Sequence, residues 1–140
     1  MSYELSNTND FLEISKVSKT LKDKVQKVIK DGYTQKQLQV IADYVCKSLR
    51  VPSVVVSLKG KRPVSKRGVL HGTYKRSTQL VTVYGITPKT NKTVAPKTIL
   101  DTLYHEIMHH YDFKKLQLNS SPHTAGFYKR IGELKKLTMI

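Results

Sequence analysis

The spacing of apolar positions changes along the chain, and each change predicts an element. From Asp10 onward, Phe11, Ile14, Val17, Leu21, Val25 and Val28 recur at near-helical spacing, with Asp10 and Glu13 placed as a capping pair and Gly32 as the stop. Thr34 and Gln37 repeat the capping arrangement, and Leu38, Ile41, Val45 and Leu49 carry a second helix up to Pro52. Three strands are then predicted near 53–58, 69–75 and 80–86, rich in Val, Thr and Tyr and separated by a basic Gly/Pro-containing loop and a short polar turn. Beyond a loop from Thr87 to Ala95, Pro96 can open a helix whose apolar stripe is Ile99, Leu100, Leu103, Ile107 and Tyr111. Ser121 and Pro122 predict the start of a last helix, with His123, Phe127, Ile131 and Leu134 on its inward face. The sum is an α+β fold in one domain over 1–140, an N-terminal helix at 1–32 and a core at 33–140 with a small three-stranded, mostly antiparallel sheet.

The polar side of the helix opened by Pro96 changes the picture from architecture to chemistry. It carries Asp101, His105, His109 and Asp112. Residues i and i+4 of a helix stack on one face, so His105 and His109 can direct ring nitrogens at one ion, with Glu106 beside it. His105-Glu106-Ile107-Met108-His109 is the HExxH pattern of zinc hydrolases. His110 points roughly 140° away from His105 by the same helical count and is not expected to be a ligand.

A catalytic zinc site takes three protein ligands and leaves a position for water. His123, at the leading end of the inward stripe of the last helix, is the expected third. Glu133 and Asp112 compete with it. Glu133 lies about 15 Å further along the helix and is rotated roughly 80° from His123, which favours pairing with Lys129 or Lys136 on the wet face.

At this point the chain resembles a known family. Thr102-Leu103-Tyr104-His105-Glu106-Ile107-Met108-His109, followed by Pro122-His123-Thr124-Ala125-Gly126-Phe127-Tyr128-Lys129-Arg130-Ile131, is similar to the SprT-like (Spartan-type) metalloprotease domain. The likeness extends more loosely upstream, through Val54-Val55-Val56, His71-Gly72-Thr73-Tyr74 and Leu80 to Tyr84, and covers about residues 33–138. It implies a zincin-like fold, Zn2+ as cofactor, a protein or peptide substrate, and His123 as third ligand with Phe127 packed beside it. Members of that family commonly carry a C-terminal zinc ribbon or DNA-binding extension. This sequence has a single cysteine and ends at Ile140, so any dependence on nucleic acid is expected from the catalytic domain itself.

The charge balance adds a partner. Against 10 acidic residues stand 25 Lys and Arg, a formal net charge of +15, which points to a polyanion. The densest basic group, Lys59, Lys61, Arg62, Lys66 and Arg67, sits in the predicted loop where several side chains could track phosphates without reading sequence. No apolar run approaches 18 residues and the N-terminus lacks signal-peptide architecture, so a soluble, intracellular protein with no membrane partner is expected. Cys46 lies in an apolar helical setting that predicts a buried thiol with no ligand role.

The expected reaction is peptide-bond hydrolysis by water whose pKa a zinc ion lowers toward 7, with Glu106 as general base. An extended substrate is expected to pair with the strand at 80–86. Candidates for a donor to the developing oxyanion are Tyr74, Tyr104, Tyr128 and Arg130, and Asp101 or Asp112 could accept the outer N–H of a ligand histidine. His71 is expected as a packed or surface residue. Two other functions fit the same residues: a basic nucleic-acid-binding protein that uses the metal fold without proteolysis, and a stand-alone latent peptidase that selects acidic substrates.

Overall fold

The computed structural model describes residues 2–12, 14 and 16–140. Its elements follow from local signals. Ser18 Oγ accepts from the Leu21 amide at 3.1 Å and opens α2 (Lys19–Asp31), which Gly32 closes at φ 94°, a left-handed value that glycine adopts without Cβ strain. Thr34 Oγ1 accepts from the Gln37 amide and opens α3 (Gln35–Leu49). Pro96 occupies the first turn of α4 (Pro96–Lys114), and Thr124 caps α5 (Ala125–Leu137) by accepting from the Phe127 amide at 3.0 Å.

Among the described residues a fifth helix, α1 (Ser2–Thr8), precedes these four. It carries no apolar stripe, and its one buried residue is Ser6. The helix expected from Asp10 begins only at Lys19. Glu13, half of the expected cap, lies outside the described residues; Phe11 is 58% exposed, while Leu12 and Val17 are buried. The reason is tertiary. Beyond α1, residues 9–12 form a strap fastened to α5, with the Leu12 amide donating to Glu133 Oε2 at 2.5 Å and the Asn9 carbonyl accepting from Arg130 Nη1. Glu133 is therefore engaged by the strap and pairs with neither Lys129 nor Lys136, and Lys129 instead faces Asp10 at 3.6 Å.

The sheet is mixed, where a mostly antiparallel one was expected. Its order is β1 (Val55–Lys61), β5 (Leu80–Ile86), β4 (Gly72–Lys75); β1 runs parallel to β5, and β4 antiparallel. Between β1 and β4 the chain makes a small hairpin from β2 (Val64–Ser65) and β3 (Gly68–Val69), which reverses direction before β4 and so leaves β1 and β5 parallel. The predicted strand at 69–75 is thus divided between this hairpin and β4. β5 is central, and both its sides are taken. It cannot receive a substrate strand, which corrects the expected docking edge.

The two outer strands differ. Gln35 and Gln39 of α3 reach across to the outer side of β1: Gln39 donates to the Val54 carbonyl and accepts from the Val56 amide, both at 2.8 Å, and Gln35 treats Val56 and Leu58 in the same way at 2.5 Å. Two side-chain amides thereby stand in for a strand. Among the described residues no strand pairs with the outer side of β4.

The core lies between the sheet and the helices, with α4 threading it. Ile99, Leu100, Leu103, Tyr104, Ile107, Met108 and Tyr111 of α4 are buried against Leu38, Ile41, Val45, Val81, Val83, Phe127 and Leu134. β4 lies directly on α4: a Cβ added at Gly72 would come within 2.8 Å of Thr102 Cγ2 and of the Thr82 carbonyl, and within 3.5 Å of Glu106 Cγ. Glycine here permits the backbone of the open strand to touch the helix turn that carries Glu106.

Candidate metal centre

Three histidines meet beside that contact. His105 and His109 project from successive turns of α4, and His123 approaches from the loop before α5. His123 Nε2 lies 3.2 Å from His105 Nε2 and 3.1 Å from His109 Nε2, and one ligand atom from each ring falls within 4.8 Å of the others. Two metal–nitrogen bonds of about 2.05 Å at a tetrahedral angle span about 3.3 Å, so the spacing fits an ion between the rings. His123 does not ride on the last helix as expected. Thr124, not Ser121, caps that helix, and the His123 ring is set by packing against Phe127, whose centroid is 5.3 Å away.

The protonation of one ring can be derived from its neighbours. Ser121 Oγ donates to Asp112 Oδ2 at 2.6 Å, which leaves its lone pairs to accept from His109 Nδ1 at 2.7 Å. The His109 proton therefore sits on Nδ1, and Nε2 faces the other two rings with a bare lone pair, the tautomer a metal requires. Asp112 is fixed in turn by Arg130, whose Nη2 donates to Oδ1 at 2.6 Å while Nη1 donates to the Ser6 carbonyl at 2.7 Å. Both members of this ion pair are fully buried. Burial pushes the Asp112 carboxyl above its usual range, and Ser121 and the Arg130 guanidinium pull it back.

The site disfavours protons on the two rings that α4 carries. Burial and the neighbouring His105 and His123 lower His109 to about 3, and burial followed by His123 lowers His105. The two rings on α4 are thus held neutral, the form in which imidazole binds cations. Glu106 is buried by the same turn of helix yet lines an open cleft of about 350 Å³ with Val69, Leu70, His71, Gly72, Asp101 and His105. Burial pushes its carboxyl up to about 7.

The remaining expected site residues separate. Asp101 is exposed and pairs with Lys135 at 3.0 Å, so it does not accept from a ligand histidine; Asp112 acts on His109 only through Ser121. Arg130 is sealed in the core against Asp112 and the backbone of the N-terminal segment, out of reach of any substrate. Tyr104 is fully buried, its hydroxyl donating to Thr138 Oγ1 at 2.9 Å, with its pKa raised by burial. Tyr74 is bonded through its hydroxyl to His110 Nδ1 at 2.6 Å, and His110 is completed by the Pro52 carbonyl at 2.7 Å. Of the four oxyanion candidates only Tyr128 flanks the histidines, half-exposed, with ring centroids 6.1 Å from His105 and 6.0 Å from His123.

The basic loop also divides. Lys59 and Lys61 lie exposed on β1, and Lys66 and Arg67 lie exposed in the hairpin. Arg62, placed with them by sequence, is 9% exposed and faces inward, so it does not belong to a phosphate-tracking surface. Cys46 is a buried free thiol, raised by burial to about 11. Among the described residues no helix is long and apolar enough to cross a membrane. Sequence reasoning did not single out Ser121 as a hydrogen-bond link; the signal available was only its position two residues before His123.

Comparison of the chain with protein-family models, curated proteins and solved structures finds no match.

Proposed function

We propose that this chain is a zinc-dependent endopeptidase of the SprT-like, zincin type. The observation that carries the reading is the convergence of three imidazoles on one point, one of them locked as the metal-binding tautomer, with a buried carboxylate beside them on the wall of an open cleft. When bound, the ion supplies Lewis acidity and a water of lowered pKa.

The residues supply the rest. His105, His109 and His123 hold the ion, and Ser121 with Asp112 fixes the ring of His109. Glu106, whose proton affinity is raised by burial to about 7, is matched to take a proton from water at neutral pH and return it to the departing amine nitrogen. A cation beside it draws that value down and favours the carboxylate form. The open side of β4 offers main-chain partners to an extended peptide, and Gly72 brings that strand into contact with the helix turn of Glu106. Tyr128 is the side chain suited to donate to the carbonyl oxygen as negative charge develops there.

The exposed Lys59, Lys61, Lys66 and Arg67 support action on proteins close to nucleic acid, since four cations on one strand and its adjoining hairpin bind phosphates irrespective of sequence. The decisive experiment is a proteolysis assay of the zinc-loaded protein and Glu106→Gln, with and without added DNA. The expected result is loss of cleavage in the variant at unchanged zinc content, with DNA raising the rate of the unsubstituted protein. Absence of cleavage in both, with tight salt-sensitive DNA binding in both, would replace the hydrolase by a nucleic-acid-binding module. Cleavage indifferent to DNA would instead favour a stand-alone peptidase.

A further inference from the structure

The three-stranded sheet has a face that no helix covers. α3 and α4 are the helices packed on it, and they meet the side on which Val56, Val81 and Val83 are buried. β4 turns Gly72 and Tyr74 toward the same side, Gly72 against Thr102 and Tyr74 against His110. Side chains alternate along a strand, so the residues between these project from the opposite face. There the register sets Lys59 beside Tyr84, with Lys61 one row further along β1. On the other side of Tyr84 come the hydroxyls of Ser57, Thr82 and Thr73 in one row, and Lys75 stands at the far corner in the next. Lys59, Lys61, Thr73 and Lys75 are exposed, and Tyr84 is half-buried. Among the described residues no carboxylate pairs with these three lysines, and the Tyr84 hydroxyl has no hydrogen-bond partner.

The charge of the chain is concentrated around this face. Between Asp43 and Asp101 there is no Asp or Glu, while twelve of the 25 Lys and Arg fall there, so this stretch holds +12 of the formal net charge of +15. It contains every strand of the sheet and the hairpin. A field of one sign over one side of a molecule draws polyanions to that side. The form of the face narrows the choice. A duplex keeps its bases stacked and out of reach of a ring set in the middle of a sheet, whereas an unpaired strand offers base faces to an aromatic side chain and phosphates to the cations around it. Three strands make a platform about 10 Å across, enough for a short run of unstacked bases. A lipid surface fits less well, because hydroxyls occupy the row at the centre.

We propose that the uncovered face of the sheet is a docking surface for single-stranded nucleic acid, with Tyr84 stacking on a base and Lys59, Lys61 and Lys75 meeting phosphates. The surface sharpens the nucleic-acid part of the reading above and does not depend on hydrolysis. His105, Glu106 and His109 stand on α4, on the covered side of the sheet. A strand bound to the open face therefore leaves the metal centre accessible.

The test is the fluorescence anisotropy of a short labelled oligothymidylate, an oligouridylate and a duplex of equal length, titrated with the full chain. The single strands are expected to bind more tightly than the duplex. Tyr84→Ala should weaken the single strands at least about fivefold and leave the duplex unchanged. Tyr84→Phe keeps the ring and should keep the affinity, which separates stacking from any loss of fold. Lys59→Gln, Lys61→Gln and Lys75→Gln together should lower the slope of log affinity against log salt by about 2, at about 0.7 for each single-strand phosphate contact. Lys22→Gln, Lys24→Gln and Lys27→Gln remove the same charge from α2 and should leave that slope unchanged. Equal affinity for the deoxy and ribo strands is expected, since stacking and phosphate contact do not read the 2′-hydroxyl; a tighter ribo strand would narrow the partner to RNA held by the hydroxyl row. A duplex bound as tightly as the single strands, or single strands indifferent to Tyr84→Ala, overturns the surface. So does an equal loss of slope in the two triple variants, which would make the attraction a diffuse property of the whole chain. Strand binding without peptide cleavage breaks the hydrolase reading and leaves the surface standing, and cleavage without strand binding does the reverse.

Discussion

The two halves of the candidate metal centre are built on opposite principles. His105, Glu106 and His109 are placed by one helix: once α4 forms and buries its apolar stripe, their mutual geometry follows from the helical repeat. His123 is placed by a loop that has no such repeat, and its position depends on contacts far apart in sequence. The Asn119 and Ser120 amides donate to Ser2 Oγ, Ser6 and Thr124 share a hydroxyl hydrogen bond at 2.9 Å, and the Gly126 amide donates to Asn7 Oδ1. Arg130 joins the same segment to Asp112, and through Ser121 to His109. A helix carries its ligands as a unit, whereas the loop ligand is held only as well as the N-terminal segment that braces it.

The contrast can be broken most severely at Arg130. Arg130→Ala leaves Asp112 charged and buried without its partner and releases the Ser6 and Asn9 carbonyls, so a loss of about 3–5 kcal/mol is expected. Differential scanning calorimetry should show a midpoint lower by on the order of 10 °C. Ser121→Ala removes the link between Asp112 and His109 while sparing the fold, and a competitive zinc titration should show affinity reduced about 10- to 100-fold. Thr124→Ala deletes both the cap of α5 and the partner of Ser6; chemical denaturation should register about 1–2 kcal/mol, with zinc affinity reduced in step. Asp101→Asn, on the helix half, is the smallest change. Its bond to Lys135 is an exposed ion pair worth less than about 1 kcal/mol, and zinc affinity should stay within about twofold. If Asp101→Asn weakened zinc as much as Ser121→Ala, the division between the halves would fail.

The same division explains what could be read in the sequence. α3, β5 and α4 were legible because their apolar spacing and caps agree with their environment: Thr34 caps, Pro96 opens, and Leu38, Ile41, Val45, Ile99, Leu103 and Ile107 are buried. The pairing of His105 and His109 shares that legibility. The N-terminal segment was not legible, because α1 is held by hydroxyl and backbone contacts that leave no apolar rhythm, and Phe11 kept the rhythm of a helix while standing in solvent. Arg130 looked like an active-site cation, since nothing in its neighbourhood of sequence announces that Ser6, Asn9 and Asp112 enclose it. The parallel pairing of β1 with β5 depends on the small hairpin between Val64 and Val69, whose two-residue strands leave little periodic trace.

The glutamines laid along β1 bear on self-association. An exposed strand margin invites copies of a protein to join side by side into dimers or fibrils. With Gln35 and Gln39 satisfying one margin of the three-stranded sheet, its open margin among the described residues is β4, and a neighbour joined there would lie beside the cleft. An oligomer joined through β4 would therefore have its cleft screened from solvent, and dilution would open it again.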